Sequence, residues 1–309
     1  MYVRNGARFT GVLAKDRWAI AALLVLALIT EWLDLPLDEY ELVSVVYVGI
    51  FSTALSLFLV FRFNEAYERW WEARKLWGTL VNRSRDMARQ ALTLLPAGTD
   101  PAVGRRLVHR HIAYVHALRF HLGLGPGEEC RRRTAEMLAH QVPDEAPDYP
   151  GHHVPNELLQ RQSEDLVRVL ATEQAGVEGR VILERFDTTL MALQDVQGGC
   201  ERIRNTAFPD GVILMTRVLV WGLVVLLMLS TIGPDGDRGG WFGTLLAIAM
   251  SMGFVAIESM GRDLNDPFDD QPNVTAMHAL SVTIERDLRS LLGETELPAP
   301  VEPEDGVLR

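Results

Sequence analysis

The chain has 309 residues, of which 48% are hydrophobic and 23% charged, with a formal net charge of −11. Mean hydropathy near zero is too polar for a protein made only of membrane spans, and the blocks of apolar sequence are too long for an ordinary soluble one. The acidic balance excludes nucleic acid as a natural partner, and two cysteines, Cys130 and Cys200, cannot form a disulfide framework.

The first element follows a basic segment with Arg4, Arg8, Lys15 and Arg17 against Asp16 alone. Its apolar run, Trp18 to about Ile29, is short for a span, but it crosses if Trp32, Leu33 and Leu35 lie at the far interface. The run ends in Glu31-Trp32 and Asp34, not in a small-residue cleavage site, so it does not read as a removable leader. An acidic loop follows (Asp34, Asp38, Glu39, Glu41). Leu42–Phe61 then carries no charge at all, and roughly 20 helical residues cover about 30 Å of hydrocarbon. Arg62, Arg69, Arg74 and Lys75 stand just beyond it, and no Gly or Pro interrupts the helix before Gly78. Basic flanks on one side only place the N-terminus and Trp70-Trp71 in the cytoplasm.

From Arg62 to about Asn205 the periodicity predicts water-soluble helices and no span. They are the rest of the long helix to Leu95, then Val103–Leu122, Glu128–Gln141, a helix capped by Asn156 running to about Ala175, and Glu178–Thr206. The four prolines between Pro143 and Pro155 mark a surface loop, and His152-His153 in it are expected to be exposed. Two further spans follow: Val212–Pro234, with Arg217 near its start, and Gly239–Ile257. Gly243, Ala247, Ala249, Ser251 and Gly253 suit the latter to tight packing. Asp266-Pro267 ends it, Thr275–Leu292 is a last amphipathic helix, and Pro298, Pro300 and Pro303 mark a loose tail. The fold class expected is all-α: four transmembrane helices and a helical cytoplasmic domain, with both termini inside. The divisions expected are 1–63 (first two spans, with helix 42–63), 64–210 (cytoplasmic helices), 211–258 (last two spans) and 259–309 (C-terminal helix and tail).

Three separated motifs resemble one family. FRFNEAYERWWEARKLWGTLVNRSRDMARQ (Phe61–Gln90), GGCERIRNTAFP (Gly198–Pro209) and LNDPFDDQPN (Leu264–Asn273) are similar to elements of the bestrophin family in its bacterial branch. The resemblance implies a homopentameric, chloride- or anion-conducting channel of the bacterial inner membrane. In such a channel five copies of the second span form an apolar neck, and the cytoplasmic helices enclose a vestibule with a second constriction. Its partners are then the bilayer, the permeant ions and other copies of itself, with no cofactor.

Counting from Arg69-Trp70-Trp71, the resemblance assigns the neck to Thr53, Leu57 and Phe61, which fall on one helical stripe at i, i+4, i+8. Thr53 departs from the bulky apolar residue usual in the family. Rings of Leu and Phe gate by dewetting. Below the neck, Glu65, Glu68 and Glu72 share a face. Exposed to the axis they form carboxylate rings that favour cations; paired with Arg69 at i, i+4 and Lys75 at i, i+3 they do not. The distal constriction falls near Val181–Arg185, at Glu184 or a neighbour such as Ile182. Asp263, Asp266, Asp269 and Asp270 offer oxygen ligands for calcium in a region where animal relatives hold it. Asp269 in place of Gly, and Pro272 within the run, favour capping and solvation there instead. His109 and His111 face different sides of one helix, which disfavours a metal among His109, His111 and His116. No nucleophile elbow, phosphate loop or paired catalytic carboxylates occur, so no enzyme is expected. Two rivals remain. A membrane-anchored sensor would bind a ligand without conducting. A secondary transporter would need charged or broken spans, and Arg217 is the only charge within one.

Overall fold

The computed structural model describes residues 17–32, 45–125, 127–143, 153–172, 176–206, 208–231, 240–269 and 275–303. All regular structure among them is helical: α1 (Arg17–Trp32), α2 (Val45–Thr93), α3 (Pro101–Leu124), α4 (Glu128–Gln141), α5 (Val154–Leu170), α6 (Gly176–Asn205), α7 (Asp210–Leu229), α8 (Gly240–Asp263) and α9 (Met277–Leu291). The described residues divide into two compact units, one drawn from Arg4–Trp70 and Ala207–Pro267, the other from Trp71–Thr206 and Phe268–Arg309. The long helix α2 contributes to both.

Among the described residues of the first unit, three helices are long and apolar enough to cross a membrane: the start of α2, α7 and α8. The apolar part of α1, Arg17–Thr30, is shorter. In this unit α1 packs on α7 and α8, and α7 on α8. Leu23 and Ala27 of α1, Val48, Leu55 and Leu59 of α2, Leu223 and Val224 of α7 and Val255 of α8 form its core. Ala247 and Ser251 of α8 turn inward as a small-residue helix should, but Gly243 and Gly253 look onto open space. Arg62 and Glu258 form a buried pair at 3.9 Å, and Arg262 approaches the same carboxylate at 3.7 Å. The hydroxyls of Ser52, Thr53 and Ser56 each donate to the carbonyl four residues back, at 2.6, 2.8 and 2.7 Å, so the polar residues of the second span need no outside partner.

The second unit is built around α3. Its run Leu107–Leu118 is buried on nearly every side, because α4, α5, α6 and α9 all pack on it. Asp100 starts α3 by accepting from the Ala102 N–H at 2.9 Å, with Pro101 in the first turn. Trp77, Leu80 and Met87 of α2, Phe186 and Leu193 of α6 and Leu288 of α9 fill the core around it, all fully buried. The helix expected to begin at Asn156 begins at Val154, with His153 before it and Pro155 in its first turn; it ends at Leu170, not near Ala175. Proline belongs at the first helical positions, where its missing N–H costs nothing, so Pro155 and not Asn156 marks this start.

Several polar side chains on α3 find partners on neighbouring helices. Arg110 donates to Asp165 at 2.7 Å and to Gln162 at 3.2 Å. His109 faces Gln141 at 3.2 Å and Glu294 at 3.0 Å. His111 is fully buried, and burial holds its pKa down at about 3, so the ring is neutral. His116 meets Glu285 at 2.8 Å, and Gln141 donates to the other oxygen of Glu285 at 2.9 Å. His109 and His116 thus have polar partners on other helices, and the ring of His111 lies against that of Tyr114.

Two outcomes follow from this packing. A Cβ on Gly104 would lie 2.8 Å from the backbone oxygen of Ala91, a backbone atom that cannot swing aside. Alanine gains up to about 1 kcal/mol of helix propensity, but overpacking costs about 1–3 kcal/mol, so Gly104→Ala is expected to lower the thermal midpoint of the purified protein. For Glu285, burial raises the carboxyl pKa, but hydrogen bonds and charge from His116, with Gln141 and Arg289, outweigh it and bring the value to about 2. A carboxyl held below its unfolded value of 4.5 stabilises the fold above that pH and loses the contribution as pH falls toward about 2. Each tenfold gain in the acidity of a carboxyl on folding corresponds to about 1.4 kcal/mol of stability. The thermal midpoint of wild type is therefore expected to fall more steeply between pH 5 and pH 3 than that of Glu285→Gln; equal slopes would assign the acid sensitivity to other groups.

Candidate functional site

The helix α2 has one buried side and one bare side, and the phase between them holds along its length. Leu55 and Leu59 are 3% exposed, and Arg62, Ala66, Ala73, Trp77 and Leu80 continue their side. On the opposite side Thr53 is exposed, Leu57 is 59% exposed and Phe61 61% exposed. The three expected neck residues therefore share a line, and among the described residues that line is exposed. Val46, Ile50 and Val60 flank it and are also exposed. Large apolar side chains left bare together mark a surface that meets lipid, another chain or a dewetted path.

Further along, Glu65 and Glu68 are exposed on the same side, and among the described residues neither forms an ion pair. Glu72 does, but its partner is Arg202 of α6 and not Lys75. An arginine from another helix competes successfully with a lysine on the same helix because its guanidinium presents a rigid donor fork. Gly199, one turn before Arg202, lets α6 come this close: a Cβ there would lie 3.0 Å from Leu76 of α2. Two of the three expected carboxylates are thus bare, and the third is compensated.

On α6, Glu184 is exposed, whereas Ile182 is half-buried against the core. Val177 and Val181 lie on the side of Glu184 and are 77% and 47% exposed. Of the apolar residues near the expected constriction, Val181 is the one whose side chain is bare, and the i, i−3 spacing from Glu184 is the signal that identifies it. Asp266 and Asp269 are exposed in the turns after α8, and Asp270 lies outside the described residues. Among the described residues, the one group of three metal-ligating side chains is elsewhere: His121, His153 and Glu201. His153, expected to be exposed, is half-buried between the other two; His152 lies outside the described residues.

Long apolar helices with a bare, in-phase apolar stripe define an all-helical membrane protein. Residues 11–290 match the family model described as bacterial/fungal bestrophin protein, and the chain belongs to that family. A protein of Mesorhizobium japonicum named voltage-dependent anion channel-forming protein is 30% identical over 277 residues, covering 90% of this chain and 83% of its own. One of the same name from Ralstonia nicotianae is 31% identical over 277 residues, covering 89% and 85%. YneE of Escherichia coli K12, also so named, is 28% identical over 274 residues, covering 83% and 79%. The crystal structure of a mutant bestrophin homologue from Klebsiella pneumoniae shares the fold, with a TM-score of 0.76 at 23% identity, covering 91% of this chain and all of the other.

Proposed function

We propose that the chain is the protomer of an anion-conducting channel, in which copies of α2 stand around an axis and turn the Thr53–Leu57–Phe61 stripe toward it. The observation that carries this is the bare line of Leu57 and Phe61 opposite the buried Leu55 and Leu59. A helix facing only its own chain or lipid has no need to keep one polar and two large apolar residues in register with a following pair of glutamates. Relatives named as anion channel-forming proteins supply the class of ion.

The assembly is a homopentamer, as the family resemblance implies. Bare apolar residues on α7 and α8, among them Leu214, Val218, Leu245 and Leu246, support lipid and neighbouring protomers as their surroundings. The family resemblance implies the bacterial inner membrane, and the basic flanks support cytoplasmic termini. Residues 1–63 and 211–258 lie in and beside the bilayer, and 64–210 with 259–309 form the aqueous part. Glu184 with Val181 or Ile182 narrows its far end. Flow is passive, so the protein needs neither a cofactor nor an enzymatic step.

A second reading has one observation in its favour: Glu65 and Glu68 are exposed and unpaired among the described residues, and carboxylate rings favour cations. Purified protein in a planar bilayer under a KCl gradient separates the two by the sign of the reversal potential. A value toward the chloride equilibrium potential is expected. A value toward potassium's would give selectivity to the glutamates, and an intact assembly carrying no current at any voltage would contradict conduction and favour an anchored sensor.

A further inference from the structure

We propose that His121, His153 and Glu201 form a binding site for a zinc-class divalent transition-metal ion. The three residues come from separate parts of the chain: His121 from the last turn of α3, His153 from the residue before α5, and Glu201 from α6. Their ligating atoms all lie within 4.8 Å of one another. The imidazole rings stand 4.7 Å apart, and His153 Nε2 is 3.1 Å from a carboxylate oxygen of Glu201.

The donors are two imidazole nitrogens and one carboxylate oxygen, which is the ligand set of open zinc sites and not the all-oxygen set that calcium and magnesium prefer. Tetrahedral bonds of about 2.0–2.1 Å put ligand atoms roughly 3.3 Å apart. The His153–Glu201 pair is already close to that separation at 3.1 Å, and the ligating atom of His121 lies within 4.8 Å of both. All three groups are half-buried, shielded from bulk water yet open to an entering ion.

Without an ion the polar atoms are poorly served. Among the described residues, Nδ1 of His153 and the Glu201 oxygen nearest it are buried and accept or donate no aligned hydrogen bond. Buried polar atoms left so are costly, and a metal with its bound water would use them. Burial, then the neighbouring His153 and Arg204, lower the pKa of His121, while Glu201 acts the other way. That direction favours the neutral ring, the form that ligates. Arg204 is the one opposing feature, a positive charge nearby, and its guanidinium is engaged by the carbonyl of Leu122. A bound ion would tie the end of α3 and the start of α5 to α6.

The test uses untagged full-length protein in detergent, stripped with a chelator and dialysed against zinc chloride. One zinc per chain is expected by mass spectrometry. His121→Ala, His153→Ala and Glu201→Gln are each expected to weaken zinc binding at least about tenfold, the scale on which metal sites respond even to outer-shell changes. His140→Ala, on the exposed side of α4, is expected to change nothing. Cobalt in place of zinc should give the intense visible bands of a tetrahedral site in wild type. Should the variants fail to fold, the wild-type cobalt spectrum decides alone. No zinc in folded wild type, zinc binding unchanged in both folded histidine variants, or only the faint spectrum of hexa-aquo cobalt would overturn the site. None of these readouts depends on conduction.

Discussion

Phe61→Ala is expected to raise the current per assembled channel several-fold and to make it less dependent on conditions that close the neck. A ring of aromatic side chains around a narrow path expels water, and an ion then meets a dry segment where nothing replaces its hydration shell. Alanine widens the ring and lets water remain. Because Phe61 is 61% exposed in its own chain, the change removes little packing and should leave assembly and thermal midpoint near wild type. Leu57→Ala, at 59% exposed, is expected to act in the same direction. Leu59→Ala supplies the opposite pattern. Leu59 is 3% exposed in the core of the first unit, so its loss removes packing, lowers the thermal midpoint and leaves the current of surviving channels unchanged. Single-channel recording paired with thermal unfolding reads both. Equal currents for Phe61→Ala and wild type would detach the stripe from the path.

Asp165→Ala is expected to cost about 3–5 kcal/mol of stability in the second unit, the range seen when one partner of a buried ion pair is removed. Asp165 receives Arg110 at 2.7 Å, Arg168 at 2.7 Å and Arg106 at 3.2 Å. The decisive partner is Arg110, whose side chain is 3% exposed. Without the carboxylate that guanidinium keeps its desolvation cost and loses its compensating charge. Arg168→Ala is the control: its side chain is 73% exposed, so the pair is screened and worth no more than about 1 kcal/mol. Thermal unfolding of purified protein should rank Asp165→Ala far below Arg168→Ala, and similar midpoints would mean that water reaches Arg110. Since α3 and α5 meet at this contact, unfolding here is expected to precede loss of the apolar helices.

Local periodicity carried most of the fold. The long helix α2 was readable because no Gly or Pro interrupts it before Gly78, and Glu128–Gln141 matches α4 at both ends. The stripe of Thr53, Leu57 and Phe61 was picked out by the family resemblance, and periodicity adds that residues four apart share a face. Where competing local signals met, the nearer one misled: Asn156 reads as a cap, but Pro155 already sits inside the helix. Contacts between distant segments were not legible. Glu72 has Lys75 three residues away, yet it pairs with Arg202 because Gly199 brings α6 close to Leu76. His153 reads as an exposed loop residue, and only the fold places it beside His121 and Glu201. Nor does helical spacing say which side of α6 faces the core, so Ile182 and Glu184 were equivalent in sequence and are not in the structure.

The most direct measurement is thiol accessibility along α2 during current recording. Single cysteines replace Thr53, Leu57, Phe61, Glu65 and Glu68 on the bare side, and Leu55 and Leu59 on the buried side. The native Cys130 and Cys200 are buried, so the background is low. A charged, water-soluble thiol reagent is expected to change the current within the bare series, most strongly at Leu57 and Phe61, and to leave Leu55 and Leu59 untouched. Current unaffected at Leu57 and Phe61 while mass spectrometry shows both positions modified would mean that ions pass elsewhere and that this face of α2 meets lipid or another helix.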